Sequence, residues 1–210
     1  YRDSIDYKLS RVLYLKRCGI RFAVVNYTYD TNGIPIPKNR IVNLIDTLAI
    51  AQDLATIRRE DVDCVVAIMH WGYEYQRKAH PEQRKLAAFL QRNGVDLIIG
   101  SHPHVVQPVE RADDGRLTLY SLGNFVSNQR KRYSDGGLVA TIDVEICDSL
   151  VAGRIVSKSK SYNLTLTPVW VMLPKYVVLP QPVADTMSMS VENRLAYNIF
   201  INDTRSLLGL

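Results

Sequence analysis

Three of the four histidines in this 210-residue chain stand where they could bind a metal ion together. His70 closes the apolar run VVAIMH, and His102 and His104 flank Pro103 in GSHPHVV. Neutral imidazole is the commonest metal-binding side chain, and three imidazoles can hold one ion with a position left open for water. We therefore predict a metal site of His70, His102 and His104, and its cofactor would be a divalent ion such as Zn, Mn or Fe.

The spacing of His102 and His104 supports this role. Proline fixes its own φ and favours an extended conformation for the residue before it, so we expect His102 to be extended. Side chains two apart in an extended segment point the same way, which would bring both imidazoles to one side. For His70 taken alone, a hydrogen-bonded histidine at the end of a strand is an equal alternative to a metal ligand.

Two further polar residues join His70 in a candidate catalytic set. Glu74 lies four residues after it in HWGYEY, where a carboxylate could orient an imidazole or act as a general base, although an ordinary loop glutamate is nearly as compatible. Asn124, in SLGNF, could be a ligand, an anion-binding amide or a turn residue after Gly123. The candidate catalytic residues are thus His70, Glu74 and Asn124.

Other polar residues near these motifs have simpler explanations. His80 precedes Pro81 and is expected beside a helix cap in solvent. The triplet Arg130, Lys131 and Arg132 fits a solvated loop, with contact to an anionic substrate as the alternative.

The elements that must position these residues follow a strand, helix, strand order. Apolar spacing predicts an amphipathic helix over 4–18 and a second helix over 39–59. Continuous apolar runs predict buried strands at 21–28, 63–70, 95–100 and 116–122, with a helix over 80–94 between two of them. This order is typical of βαβ units, whose ligands gather beyond the carboxyl ends of the strands, where the three histidines and Asn124 fall.

The second half of the chain has a different pattern. The stretches 138–146 and 153–173 alternate polar and apolar residues without a helix between them, which indicates antiparallel strands. From about residue 184 the pattern is helical. The fold class is therefore α/β, with mixed sheets flanked by helices.

Composition limits the partners and the location. The net charge of +5 favours anionic partners, but the basic residues are scattered, so nucleic-acid binding is not predicted. The apolar runs are too short to span a bilayer. Because the chain begins without Met and inside a helical pattern, we expect N-terminal sequence to be missing, and membrane association would come only through that missing segment.

Several motifs in this order and spacing resemble the CapA-type bacterial capsule-synthesis proteins associated with poly-γ-glutamate. They are HWGYEY (70–75), PEQRKLAAFL (81–90), GVDLIIGSHPHVVQPVE (94–110) and YSLGNF (120–125). That family is similar in fold to the calcineurin-like metallophosphoesterases. The resemblance implies a partial α/β/β/α sandwich, with 1–183 as the C-terminal part of one such domain and 184–210 as its helical segment.

The resemblance also aligns His70, His102 and His104 with metal-site histidines, but this chain departs from the pattern. The Asp and Asn ligands that come from the N-terminal half of metallophosphoesterase-like domains have no counterpart here. Two divalent ions about 4 Å apart repel strongly without carboxylates between them, so a two-metal site built from this chain alone is not expected.

Two functions of different classes follow. The first is a metal-dependent hydrolase of capsule or poly-γ-glutamate metabolism, cleaving a phosphoester or a γ-glutamyl amide; a phosphodiesterase acting on nucleotides or lipids would share its site. The alternative is a non-catalytic cell-envelope module that binds poly-γ-glutamate or another anionic polymer for assembly or export. Expected partners are an anionic polymer or small-molecule substrate and other capsule-synthesis proteins, and the expected location is the extracytoplasmic face of the cell envelope.

Overall fold

The computed structural model describes residues 11–57, 62–151 and 154–209. In chain order, its strands and helices are β1 (Leu13–Arg17), β2 (Ile20–Thr28), α1 (Thr47–Ile57), β3 (Cys64–His70), α2 (Pro81–Arg92), β4 (Leu97–Ser101), β5 (Val109–Arg111), β6 (Leu117–Leu119), β7 (Gly136–Val151), β8 (Arg154–Met172), β9 (Val177–Pro180), α3 (Gln181–Thr186) and α4 (Val191–Leu208).

A six-stranded mixed sheet carries the site. Its strand order is β1-β2-β3-β4-β6-β5, and β2, β3, β4 and β6 run parallel, whereas β1 and β5 are antiparallel edges. The helices α1 and α2 bury their apolar faces against one side, where Leu54 and Leu90 meet Met69 and Ile98. The parallel strands read as continuous apolar runs because both of their faces are covered.

The other face of this sheet packs against a second, antiparallel sheet of order β7-β8-β9. Leu97 and Leu119 of the first sheet lie in one cluster with Tyr162 of β8. At the far end of β8, Trp170 packs against Tyr197 and Phe200 of α4. The predicted α/β class is confirmed, with helices, a mixed sheet and an antiparallel sheet in successive layers. The division of the chain at residue 183 stays a prediction.

A buried carboxylate joins the two sheets. Asp96 precedes β4 and accepts hydrogen bonds from the backbone N–H of Val65 at 2.7 Å and from the hydroxyl of Tyr162 at 2.8 Å. Its Oδ1 also lies 3.1 Å from Nζ of Lys160. A buried acceptor with several donors keeps all of them satisfied without water.

Replacing Asp96 with Ala is expected to lower the free energy of unfolding by about 3 kcal/mol, because the change leaves the buried donors and the ammonium of Lys160 without their acceptor. Urea unfolding followed by circular dichroism measures the loss. The matched control is Asp143→Ala, since Asp143 is exposed on the outer face of β7, and its effect should stay within about 0.5 kcal/mol. Equal stability of the two variants would contradict the bridging role of Asp96.

The helix predicted over 4–18 is wrong where the structure describes it. Residues 13–17 form β1, which pairs antiparallel with β2, and residues 4–10 lie outside the described residues. Cys18 and Gly19, with φ values of 51° and 83°, reverse the chain between the two strands. Two consecutive residues with positive φ match the twist of a hairpin, so long-range pairing overrides the local helical spacing.

The helix predicted over 39–59 is shorter in the structure, where α1 covers Thr47–Ile57. Asp46 caps it, accepting from the N–H groups of Leu48 and Ala49 at 2.8 and 3.1 Å. Residues 43–45 bond to Thr28 at the end of β2 instead of joining the helix. Residues 58 and 59 lie outside the described residues.

The remaining predicted elements are confirmed, and two short strands, β5 and β9, were not predicted. Among the described residues, no helix combines the length and the apolar character that crossing a bilayer requires.

Candidate functional site

Parallel pairing brings the predicted residues to one edge of the first sheet. Thr28, the last residue of β2, is in register with His70, the last residue of β3, and His70 is in register with Ser101 at the end of β4. His102 follows Ser101 directly. The ring centroids of His70 and His102 lie 4.7 Å apart, and those of His102 and His104 lie 6.2 Å apart. The three histidines predicted as a set therefore form one cluster, which we call the histidine cluster.

The backbone of His102-Pro103-His104 differs from the prediction of an extended segment. His102 has a φ of 103° and His104 a φ of 58°, and residues 102–105 form a bend. The carbonyl of Pro103 accepts from the N–H of Tyr75 at 2.8 Å, which ties the bend to the loop after β3. Positive φ is costly for a residue with a side chain, and such strain clusters at functional sites. The tertiary contacts, rather than an extended backbone, bring the two rings together.

The protonation of His104 is fixed by Asn124. Asn124 is buried, with 9% of its surface exposed, and its amide Nδ2 donates to the carbonyl of Ser134 at 2.7 Å. Its Oδ1 therefore faces Nδ1 of His104, at 2.9 Å. Since a carboxamide oxygen only accepts, Nδ1 of His104 carries a proton, and in the neutral ring the lone pair is therefore on Nε2. The contact gives Asn124 a role outside the predicted alternatives of ligand, anion-binding amide and turn residue, namely that of an amide that orients a histidine.

Thr28 fixes His70 in the same way. The hydroxyl of Thr28 donates its one proton to the carbonyl of Asp30 at 2.7 Å. Its oxygen lies 2.8 Å from Nδ1 of His70, so it accepts there, and His70 carries its proton on Nδ1. The neutral forms of His70 and His104 thus both have Nε2 unprotonated, which is the state of an imidazole that binds a metal through Nε2.

The electrostatics of the cluster also favour neutral imidazoles. Burial lowers the pKa of His70, and the neighbouring His104 lowers it further. Burial and the nearby His70 and His104 lower the pKa of His102, against an opposing effect of Glu74. A second positive charge among three adjacent rings is unfavourable, so His70 and His102 are uncharged at neutral pH.

The ring spacing suits a single ion, but the donor atoms do not converge on one point. Three imidazoles around one tetrahedral ion have ring centroids about 5 Å apart, close to the 4.7 Å and 6.2 Å in the cluster. In the described part of the chain, however, no group of three His, Cys, Asp or Glu side chains is placed to hold a metal ion. Binding through all three rings would need their side chains to rotate.

The carboxylate of Glu74 faces Nε2 of His104, the ring nitrogen that Asn124 does not contact. Its Oε1 lies 3.9 Å from Nε2 of His104, and the carboxylate is 47% exposed. Two acceptors at this distance repel unless a proton or a cation lies between them. The position fits the predicted use of Glu74 as a general base or an orienting carboxylate.

The three members of the basic triplet have different surroundings. Arg132 makes a two-pronged salt bridge with Asp203 of α4, with both N–O distances at 2.9 Å. Arg130 donates to the carbonyl of Val171 at 3.3 Å. Lys131 instead places its ammonium 4.1 Å from the ring centroid of Tyr75, whose ring stacks on His104 at 6.1 Å. Only Lys131 of the triplet therefore lies next to the histidine cluster.

A cavity of about 500 Å³ opens beside His102. Its walls are mainly aromatic and aliphatic, and its polar groups include two carboxylates. The lining residues include Tyr29, Trp71, Tyr73, Glu74, Glu82 and His102. His80, predicted to be a cap neighbour in solvent, is the N-cap of α2, accepts from the N–H of Glu82 at 3.4 Å and also borders the cavity. The size is in the range of small-molecule sites.

Sequence reasoning missed three residues of the site, namely Thr28, Tyr29 and Tyr75. The ring of Tyr29 lies 4.5 Å from that of His102 and 5.5 Å from that of His70. The strand predicted at 21–28 ends within the motif YTYD (27–30), so the place of this motif at the carboxyl edge of the sheet was the available signal. No comparable signal pointed to Tyr75, which reaches His104 through its hydrogen bond to the bend at Pro103.

Residues 6–129 match the family model described as bacterial capsule synthesis protein PGA_cap. The chain belongs to this family. The PGA biosynthesis protein CapA of Bacillus subtilis is 34% identical over 138 residues, which cover 65% of this chain and 36% of that protein. The capsule biosynthesis protein CapA of Bacillus anthracis is 42% identical over 83 residues, covering 39% of this chain and 20% of that protein. The predicted family is thus confirmed, and the chain spans well under half the length of these curated relatives.

Solved structures align only in part. A hypothetical protein from Thermus thermophilus has a TM-score of 0.43 at 17% identity, covering 73% of this chain and 62% of that one. The sulfate thiohydrolase SoxB of Thermus thermophilus, solved with glycerol, has a TM-score of 0.42 at 17% identity, covering 93% and 29%. Alignments at TM-scores below 0.5 do not establish a shared fold, so the metallophosphoesterase likeness stays a prediction.

Proposed function

We propose that this member of the capsule-synthesis family is a metal-dependent hydrolase whose divalent ion is held by His70, His102 and His104. The observation that carries the proposal is that His70 and His104 each carry a proton on Nδ1. Thr28 and Asn124 each occupy Nδ1 and leave Nε2 free within one cluster. Metal-binding histidines are oriented in the same way by a hydrogen bond to their other nitrogen.

When bound, a divalent ion would polarise a phosphoryl or amide carbonyl oxygen and lower the pKa of its water. The chain's own residues divide the remaining work. Glu74 lies 3.9 Å from Nε2 of His104, where its carboxylate can hold a proton taken from water. Asn124 keeps the proton of a neutral His104 on Nδ1. The cavity beside His102 receives the rest of the substrate.

The proposed substrate is a phosphoester or a γ-glutamyl amide of capsule metabolism. The B. subtilis relative is described as a protein of PGA biosynthesis, which makes the γ-glutamyl bond one of the two candidates. Zn, Mn and Fe all accept imidazole ligands and are the candidate ions. Action at the extracytoplasmic face of the cell envelope, with an anionic polymer and other capsule-synthesis proteins as partners, is part of the same proposal.

A non-catalytic module that binds an anionic polymer is the second candidate. One observation favours it, because among the described residues no three donor side chains are placed to hold an ion. In that case the histidines would serve as hydrogen-bonding groups beside the cavity.

The protonation argument predicts that Thr28→Val and Asn124→Leu each weaken binding of Zn²⁺ or Mn²⁺ by about 10- to 100-fold, since each variant frees one imidazole to rotate and to place its proton on Nε2. Isothermal titration calorimetry on chelator-stripped protein measures the affinity. Thr165→Val is the matched control, because Thr165 is exposed on the outer face of β8. If both site variants bind the metal as tightly as the unaltered protein, the hydrogen bonds of Thr28 and Asn124 do not orient metal ligands, and the proposed function loses its support.

A further inference from the structure

The two sides of the histidine cluster carry opposite charge. On the side of His102 lies the cavity, whose charged side chains besides histidine are Glu74 and Glu82, and among the described residues that line it none is Lys or Arg. Glu74 lies between the cavity and His104, 3.9 Å from Nε2 of that ring, whereas Lys131 lies on the side of His104, stacked on the ring of Tyr75. Accepting the proposed hydrolase, we infer that the substrate binds in one direction, with its anionic group at Lys131 and a group without net negative charge in the cavity.

The cavity side excludes an anion for electrostatic and steric reasons together. Tyr29, Trp71 and Tyr73 supply aromatic walls, and two aliphatic side chains complete them. A carboxylate or phosphoryl group placed deep in the cavity would lose water and would face the carboxylates of Glu74 and Glu82, with no Lys or Arg among the described lining residues to compensate them. An uncharged ring meets neither penalty, and an ammonium group loses water but is attracted to both carboxylates; the aromatic faces favour both groups.

On the opposite side, one cation of the basic triplet is available. Arg132 is paired with Asp203, and Arg130 donates to backbone carbonyls of Val171 and Ser127. Lys131 is exposed, and within the described parts of the chain no carboxylate is within ion-pair distance of its ammonium. Tyr75 holds that ammonium beside His104, because a cation over an aromatic face is attracted to it. An anionic group bound there would lie next to the proposed reacting centre.

This polarity narrows the substrate class. Every repeat of a γ-glutamyl polymer carries a carboxylate, so the interior of such a chain would bring negative charge into the cavity. The terminal residue with a free amino group would bring no net negative charge, because its ammonium group offsets its own carboxylate, and the ring of a phosphoester of an uncharged ring would bring no charge. The bond that is cleaved therefore lies at the end of a polymer or in a small molecule, and not within a polyanionic chain.

Two probes that differ by one charge test the direction of binding. Phenylphosphonate has a neutral ring, and 4-carboxyphenylphosphonate adds a carboxylate to the part that would enter the cavity. NMR titrations should show phenylphosphonate binding about fivefold more tightly. Glu82→Gln should reduce this preference, and Lys131→Gln should weaken both probes about fivefold without changing their ratio. Lys85→Gln, an exposed lysine of α2 outside the cavity, is the matched control and should change nothing.

Equal or tighter binding of the carboxylated probe overturns the inference. The inference is also overturned if Lys131→Gln changes the affinity for the probes no more than Lys85→Gln does, or if neither probe binds. Phenylacetate, run in parallel, tells whether Lys131 prefers a carboxylate or a phosphoryl group. Each titration is repeated with and without metal. If the neutral-ring probe binds more tightly but added metal does not change either affinity, only the proposed hydrolase is contradicted. If metal changes the affinities but the two probes bind equally, only this inference is contradicted.

Discussion

A variant in which alanine replaces both His102 and His104 is expected to bind no divalent metal at micromolar concentration and to hydrolyse neither phosphoesters nor γ-glutamyl amides. The change removes two of the three imidazoles of the cluster and leaves His70 alone, and one imidazole cannot compete with water for the ion. The measurement is metal content per chain by plasma mass spectrometry, on protein purified without chelator or metal resin. Hydrolysis is then followed on a panel of both substrate classes.

The fourth histidine supplies the matched control. His80→Asn removes an imidazole that borders the cavity, but asparagine also caps helices well, so the start of α2 is retained. This variant should keep its metal. Equal metal content in the double variant and the unaltered protein would exclude the three-histidine site. Polymer binding that persists after chelation and falls with added salt would instead support the non-catalytic candidate.

Gly100→Ala is expected to lower the free energy of unfolding by more than about 4 kcal/mol, enough to prevent folding of many domains of this size. A Cβ at Gly100 would lie 2.0 Å from the carbonyl oxygen of Tyr120 and 2.5 Å from Nε1 of Trp71. These two atoms are themselves hydrogen-bonded at 2.9 Å, so the added methyl group would break that buried bond as well. The neighbouring backbone of Tyr120 cannot move away without separating β6 from β4.

The control for Gly100 is Gly94→Ala. Gly94 has a φ of 89°, but a Cβ there would meet no heavy atom within 4 Å, so its cost is the backbone strain alone, about 1 kcal/mol. Yield of soluble protein and thermal melting followed by circular dichroism compare the two variants. A Gly100→Ala protein as stable as Gly94→Ala would show that the sheet tolerates the added atom and would contradict the packing described around Trp71.

Gly100 and Gly72 stand near the histidines in sequence, where each could allow a sharp turn, and only one of them does so. Gly72 has a φ of 84° and lies in the loop after β3. Gly100 lies within β4 and is needed because Trp71 and Tyr120 pass so close to it. A glycine's conformational freedom can be guessed from its neighbours in sequence, whereas a close approach depends on residues 20 or more positions away.

The sequence by itself determined the parallel strands of the central sheet and part of the membership of the site. The apolar runs that became β3 and β4 end at His70 and Ser101, and parallel strands must bring those ends to one edge. From that rule alone His70, His102, His104 and Asn124 could be expected together. Glu74 could be placed near them because only three residues separate it from His70.

Tertiary structure decided the rest, because the deciding contacts join residues far apart in the chain. Residues 13–17 have helical spacing of apolar residues, but they form a strand because they pair with β2 across the turn at Cys18. The positions of the protons on His70 and His104 depend on hydrogen bonds with Thr28 and Asn124; the strand order could place these residues at the same edge of the sheet, but not in contact with a particular ring nitrogen. The charge beside the cluster likewise depends on which members of the basic triplet form ion pairs with other parts of the chain. Arg132 pairs with Asp203, and this salt bridge exists only once α4 has packed against the loop.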